Sequence, residues 1–307
     1  MKEYIGSVCL DLTDYEGVDR YSDGAVEDEL LEIVKSASDA GTLNKIIEER
    51  KSWPLLYHLS PLRYNIIESI PIRQGEKVLE IGAGCGAITG ILAEKAGKVT
   101  CIELSKKRSM INAYRNQGKN IEIKVGNFET VHKKLQETYD VITLIGVFEY
   151  AQSYIDSPDP FVDFLKMIEG HLSEQGRVIL AIENQYGLKY WAGCREDHVN
   201  QFFSGLEGYP GTDRARTFGR DGLCRLLKKA GLSAAKVYYP YPDYKFAMKI
   251  YSDDYLPKKG ELINNIRNYD NDRMYLFNEE LVYDSLIEDG MFPFFSNSYL
   301  IVAGRKE

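Results

Sequence analysis

The sequence lacks the features that would mark a disulfide-stapled, metal-clustered or membrane-spanning protein. Its 307 residues include five cysteines, Cys9, Cys85, Cys101, Cys194 and Cys224, none in CxxC spacing. An odd, scattered set suggests neither a disulfide framework nor a zinc site, so reduced thiols in a cytoplasmic protein are expected, and no bound metal. No stretch reaches the roughly 18 apolar residues of a membrane span. Met1-Lys2-Glu3-Tyr4 lacks the apolar run of a signal peptide. Basic residues are in deficit, 38 against 46 acidic ones, for a net charge of −8. Such a surface repels a phosphate backbone and shows no strong basic patch, so nucleic acid is not an expected partner. Internal repeats and low-complexity segments are absent.

What is present is an ordinary globular composition, 44% hydrophobic and 27% charged, with 22 tyrosines. Residues 1 to about 25 are polar and mixed, and read as irregular. Glu27 to about Ser36 and Thr42 to Lys51 have helical character, and Trp53-Pro54 interrupts. Ser60-Pro61 opens another helix, with Ser as cap and Pro at the first position. From Val78 onward strands and helices alternate. Strands are expected at Val78–Ile81, Lys98–Ile102, Ile121–Val125, Val141–Val147, Arg177–Ile182, Leu232–Tyr239 and Ser298–Ala303. That alternation predicts a parallel sheet with helices on both faces. The division expected is a helical cap over 1–74 and an α/β domain over 75–307, with insertions at about 184–217 and 241–295.

Gly82, Ala83, Gly84, Cys85 and Gly86 follow the first strand of this series and open a helix. Glycines let the backbone turn sharply and approach a ligand without Cβ clashes, and the helix N-terminus behind offers free N–H groups. Gly82-x-Gly84-x-x-Ala87 also satisfies the relaxed dinucleotide fingerprint, and Glu103 lies 21 residues past Gly82 at the end of the second strand. An acid there binds ribose hydroxyls of either a nicotinamide or an adenosyl cofactor. A nicotinamide-dependent oxidoreductase is therefore one alternative.

Glu80, two residues before the first glycine, makes the segment resemble the class I methyltransferase pattern E/D-x-G-x-G-x-G. The resemblance implies S-adenosyl-L-methionine as cofactor, with Glu80 ordering the loop near the methionine amine. Gly126-Asn127-Phe128 resembles the motif that binds and stacks on adenine, and Ile145-Gly146-Val147-Phe148-Glu149-Tyr150 the one facing the methyl donor. It implies a donor site of Glu80, Gly82, Ala83, Gly84, Gly86, Glu103, Leu104, Asn127, Phe128 and Gly146, with Arg63 near the cofactor carboxylate. The expected fold is a Rossmann-like seven-stranded, mostly parallel sheet. The fourth strand does not end in Asn/Asp-Pro-Pro-Tyr, which argues against methylation of base or glutamine amides, and no Pro-Cys pair supplies a thiolate.

Methyl transfer from a sulfonium relies on positioning, helped by a base when the nucleophile is a hydroxyl. His198, in Arg195-Glu196-Asp197-His198 of the first insertion, follows the fifth strand, where ligands bind in such folds. His198 or Glu149 is the candidate proton acceptor; the bland alternative for His198 is a structurally hydrogen-bonded histidine. Glu183, Asn184, Tyr190, Trp191 and Tyr150 are candidates for the acceptor pocket. His132 and His171 fall on predicted surface positions.

Beyond the domain pattern, the chain resembles methyltransferase domains beside or fused to bacterial cell-surface glycosyltransferases. Tyr21-Ser22-Asp23-Gly24, Trp53-Pro54, Tyr57-His58-Leu59-Ser60-Pro61, Ala181-Ile182-Glu183-Asn184 and Glu196-Asp197-His198 carry this likeness. It implies O-methylation of a small molecule or sugar, with a glycosyltransferase as partner; a homodimer is left open. A non-catalytic, cofactor-binding scaffold for a glycosyltransferase is the second alternative.

Overall fold

A computed structural model of the chain describes residues 1–37, 40–265 and 271–306. Ten strands are hydrogen-bonded in the order β1-β2-β5-β4-β3-β6-β7-β10-β8-β9. They are β1 (Lys2–Ile5), β2 (Val8–Asp11), β3 (Val78–Ile81), β4 (Val99–Glu103), β5 (Ile121–Val125), β6 (Tyr139–Ile145), β7 (Leu172–Glu183), β8 (Leu232–Tyr241), β9 (Lys249–Ser252) and β10 (Ser298–Arg305). The chain divides into two compact units, one of residues 1–143 and 171–176, the other of 144–170 and 177–307.

In the first unit β2, β5, β4 and β3 run parallel. β3 and β4 are buried at every position, as strands covered on both faces must be. β5 alternates, with Ile121, Ile123 and Val125 inside and Glu122 and Lys124 half-buried. Ser105 caps helix Lys106–Arg115 by accepting the Arg108 N–H at 3.2 Å. Leu30, Ile33 and Val34 of helix Val26–Ser36 pack with Leu55, Leu59, Ile111 and Cys85, which ties the glycine loop to an apolar cluster.

The second unit is built on antiparallel pairing: β10 lies between β7 and β8, and β9 pairs with β8. The expected first insertion holds a one-turn helix, Leu188–Trp191, and a bridge joining Arg195 and Phe202. The expected second insertion holds β9, helix Glu279–Glu288 and a turn of helix at Phe292–Phe295; its residues 266–270 lie outside those described.

The expectation of seven strands is corrected to ten. Residues 2–11, read as irregular, form β1 and β2, joined across Gly6 at φ 57°. Val8 and Leu10 are fully buried, and this apolar alternation adds the pair to the edge of β5. The helix expected from Ser60-Pro61 is a 3-10 turn, Pro61–Tyr64, followed by one α turn, Asn65–Glu68. Ser60 Oγ accepts the Leu62 N–H at 3.2 Å, so the cap forms as expected although the helix stays short.

Candidate active site

The glycine loop and the residues expected beside it lie in the first unit, and Gly146 lies in the second. Gly82, Gly84 and Gly86 have φ of 70°, 53° and 76°, the left-handed region that glycine enters without strain. A Cβ on Gly84 would meet nothing within 4 Å, whereas one on Gly86 would sit 2.4 Å from Asn112 Oδ1. Gly86 is thus required by packing and Gly84 leaves room for a ligand. Glu103 grips the loop: Gly84 N–H donates to its Oε2 at 2.7 Å and Ser105 N–H to its Oε1 at 2.9 Å. Burial raises the Glu103 carboxyl pKa.

Glu80 is 5% exposed and accepts the Thr89 hydroxyl at 2.6 Å. Thr89 in turn accepts from Asn112, whose Oδ1 accepts from Asn116, both at 2.9 Å. Burial pushes the Glu80 carboxyl up to about 7. A cationic group nearby would favour its charged form. Ala83 is buried and Leu104 half-buried. Asn127 caps the turn Phe128–Val131 by accepting the Glu129 N–H at 3.2 Å. Phe128 is buried and stacked on His132, centroids 5.4 Å apart. His132 itself pairs with His171 at 3.4 Å, so these two are half-buried partners rather than surface residues. The Arg63 guanidinium lies 4.6 Å from the centre of the Tyr57 ring.

The sequence reading did not foresee a second network in this unit. It joins two of the segments that carried the glycosyltransferase-associated likeness. Asp23 Oδ2 is 3.0 Å from His58 Nε2 and 2.5 Å from an Arg108 Nη. Arg108 Nε donates to Glu27 at 2.7 Å, and its guanidinium lies over the Tyr21 ring at 4.4 Å. Asp19 accepts the N–H groups of Lys106 and Lys107 at 2.7 and 3.2 Å. The N-terminal segment is therefore held on the helix that follows Glu103.

The second unit carries a buried charged cluster. His198, its side chain 6% exposed, lies 3.5 Å from Glu149 Oε1 and 3.8 Å from Glu183 Oε2 through Nε2. Its Nδ1 is 3.0 Å from Glu196 Oε1. Glu196 Oε2 accepts the backbone N–H of His198 and of Val199, each at 2.7 Å, so the turn fixes the ring. Tyr150 stands edge-on to the imidazole at 5.3 Å. Burial alone would lower the His198 pKa, but Glu183, Glu149 and Glu196 outweigh it and hold it well above its ordinary value. Burial raises the Glu149 carboxyl; at Glu183 the Lys245 ammonium and His198 outweigh burial and lower it.

Lys245 binds Glu183 Oε1 at 2.5 Å and Asp197 Oδ1 at 2.7 Å. Lys189 and the Tyr190 hydroxyl complete Asp197 at 2.8 and 2.5 Å. Lys189, Lys245 and Asp197 were missed as members; only the acids beside His198 and the tyrosine-rich run ending at Tyr244 hinted at them. Of the candidate acceptor residues, Glu149, Tyr150, Glu183, Tyr190 and His198 belong to this cluster. Asn184 does not: its amide donates to the carbonyls of Phe294 and Ser296 and accepts from Tyr186, so its polar groups hold the chain. Trp191 is 43% exposed and packs edge-on against Phe295. Gly146, φ 68°, has the Tyr244 hydroxyl where a Cβ would stand, at 2.6 Å.

A family model described as a methyltransferase domain matches residues 59–237, more than half of the chain. The chain belongs to this methyltransferase domain family. By that description the matched domain is an enzyme domain, one that transfers methyl groups. This chain is 36% identical over 98 residues to the ribosomal RNA small subunit methyltransferase A of Borreliella burgdorferi, covering 31% of this chain and 35% of that protein. It is 27% identical over 107 residues to a ubiquinone biosynthesis O-methyltransferase of Pseudomonas fluorescens, covering 34% and 44%. The chain thus spans less than half the length of these relatives. An S-adenosylmethionine-dependent methyltransferase from Archaeoglobus fulgidus shares the fold, with TM-score 0.50 and 16% identity over 83% of this chain and 100% of that one. Among the described residues, no helix of the methyltransferase is long and apolar enough to cross a membrane.

Proposed function

We propose that this methyltransferase moves the methyl group of S-adenosyl-L-methionine to a hydroxyl of a small molecule or sugar. The observation that carries the acceptor half is the convergence of Glu149, Glu183 and His198 in a buried cluster. When bound, the donor supplies an activated methyl on sulfur, so the protein's tasks are to position and to handle one proton. Gly82, Gly84, Gly86 and Glu103 hold the donor, and Glu80 faces its ammonium. Asn127 and Phe128 border the adenine, Leu104 borders the donor, and Arg63 is assigned to its carboxylate. As an oxygen nucleophile attacks, its proton passes to Glu149, whose burial makes it a stronger base than a solvated carboxylate. His198, already carrying a proton, positions that carboxylate.

The name of the ubiquinone-pathway relative supports a hydroxyl acceptor. The ribosomal relatives point to RNA, against which the net charge of −8 stands. The likeness to glycosyltransferase-associated domains favours a sugar acceptor and a glycosyltransferase partner. Labelled-methyl transfer into fractionated host extracts, followed by mass spectrometry of the product, tests the reading. A labelled hydroxylated metabolite or glycan, lost in Glu149→Gln protein that still binds the donor by calorimetry, is the expected result. Donor binding without transfer to any fraction would instead favour a non-catalytic scaffold.

A further inference from the structure

The cluster of Glu149, Glu183 and His198 poses a problem that hydrogen bonding does not solve. Glu196 fixes His198 Nδ1 at 3.0 Å, so Nε2 is aimed at two carboxylates. Its distances of 3.5 and 3.8 Å to them exceed those of a good hydrogen bond. Glu149 Oε2 and both Glu183 oxygens are buried and accept no hydrogen bond, although Lys245 forms an ion pair with Glu183. Glu149 and Glu183 side chains are 1% and 0% exposed and so are closed off from bulk solvent.

The charge count points the same way. The cluster holds four carboxyl groups, Glu149, Glu183, Glu196 and Asp197, against two ammonium groups, Lys189 and Lys245. Lys245 and Lys189 satisfy Asp197, and Lys245 reaches only Oε1 of Glu183. Two negative charges remain around one imidazole, and its own proton offsets only one of them.

We infer that Glu149, Glu183 and His198 form a binding site for a divalent transition-metal ion. One ligand atom from each residue lies within 4.8 Å of the others. Bonds of about 2.0–2.2 Å around a common ion place neighbouring ligand atoms roughly 3.0–3.6 Å apart. The two His198 pairs are already near that spacing, and closing the site draws the carboxylates together by about an ångström or somewhat more. One imidazole and two carboxylates are donors suited to zinc, manganese and iron(II). Glu196 supplies what a metal-bound histidine ordinarily has, a carboxylate on its other nitrogen. Three protein donors leave positions open for oxygen ligands. The Lys245 ammonium opposes the ion and keeps the site from taking Glu183 in a bidentate manner. The inference concerns binding and does not depend on a hydroxyl being the acceptor. An ion that binds displaces the proton on His198 Nε2 and takes up a Glu149 oxygen, so the role of Glu149 as base belongs to the metal-free chain.

The test uses the full chain, stripped with chelator and desalted, then titrated with manganese(II) chloride. Electron paramagnetic resonance reads free manganese, and cobalt(II) absorption reports a nitrogen ligand. One equivalent of manganese is expected to bind, with a rise in melting temperature. Glu149→Gln and His198→Gln are each expected to weaken it at least tenfold, and Glu196→Gln, through the ring's orientation, by about 10–100-fold. Should a variant fail to fold, melting of the unmodified chain with and without manganese still decides. The inference fails if manganese and cobalt do not bind at millimolar concentration, or if binding survives all three substitutions.

Discussion

Glu80 and the two glycines behind it show how single positions divide their work. Burial raises the Glu80 carboxyl to about 7, above its unfolded value. The folded chain therefore holds that proton more tightly than the unfolded chain does. The sign follows: this group's contribution is most favourable below the unfolded pKa and is lost as pH rises through about 7. Glu80→Gln keeps an acceptor for Thr89 and removes the ionisation. Urea denaturation is expected to show the variant more stable than the parent at pH 8, by up to about 3 kcal/mol, and nearly equal at pH 4. Calorimetry at pH 8 is expected to show weaker donor binding, because the charge opposite the ammonium is gone. A variant equally stable at both pH values relative to the parent would show that Glu80 is not held protonated by burial.

Gly84 and Gly86 separate by what surrounds them. Alanine at Gly86 drives its Cβ into Asn112 and disturbs the Thr89–Asn112–Asn116 chain, so a stability loss above about 2 kcal/mol is expected. Alanine at Gly84 meets open space and costs about 1–2 kcal/mol in backbone strain. Its main effect is expected on donor affinity, a loss of tenfold or more by calorimetry. If Gly86→Ala melts like the parent, the packing argument is wrong.

At the scale of elements, the strands around the glycine loop were readable because both faces of β3 and β4 are buried and their sequences are short apolar runs between glycine-rich turns. β1 and β2 were not read, since each has four residues and only one buried face in a polar stretch. The alternation of Val8, Leu10 and Leu12 was the available signal. The role of helix Lys106–Arg115 in holding the N-terminal segment was not readable, because Arg108 meets Asp23 and Glu27 across 81 or more residues. Removing one partner of such a buried pair strands the other. Arg108→Ala is expected to lose about 3 kcal/mol and to open residues 12–25 to limited proteolysis, with the cut mapped by mass spectrometry. Cleavage no faster than in the parent would assign that segment's order to something else.

For the whole molecule, the residues proposed to hold the donor could be named in advance because the alternation of strands and helices places them at strand ends and one loop. The charged cluster was only half legible. Glu196, Asp197 and His198 are adjacent in sequence, whereas Lys245 arrives from 48 residues past Asp197, and one sequence contains no sign of that pairing. Asn184 sits where a ligand-facing residue was expected, yet its amide closes the loop at Phe294 and Ser296. The net charge makes a global prediction: no complex with a ribosomal RNA fragment is expected in a mobility-shift assay at 150 mM salt, or about that value, given phosphate repulsion. S-adenosylmethionine at about 100 times its Kd is expected to stabilise the fold by about 2.7 kcal/mol, read as a higher melting temperature. A shifted RNA band would reopen the ribosomal reading.

The Glu196 turn has a consequence for how such a chain changes over generations. The imidazole takes its aim from its neighbour two residues earlier and from two adjacent backbone N–H groups. Beyond it, the loop of residues 210–216 is closed at its base, where the Tyr209 hydroxyl meets Thr217 and Glu196. Inside that loop Gly211, at φ 73°, faces open space. Residues inserted there lengthen a stapled loop without turning the ring. The surroundings can thus drift toward new partners while the working geometry is inherited unchanged.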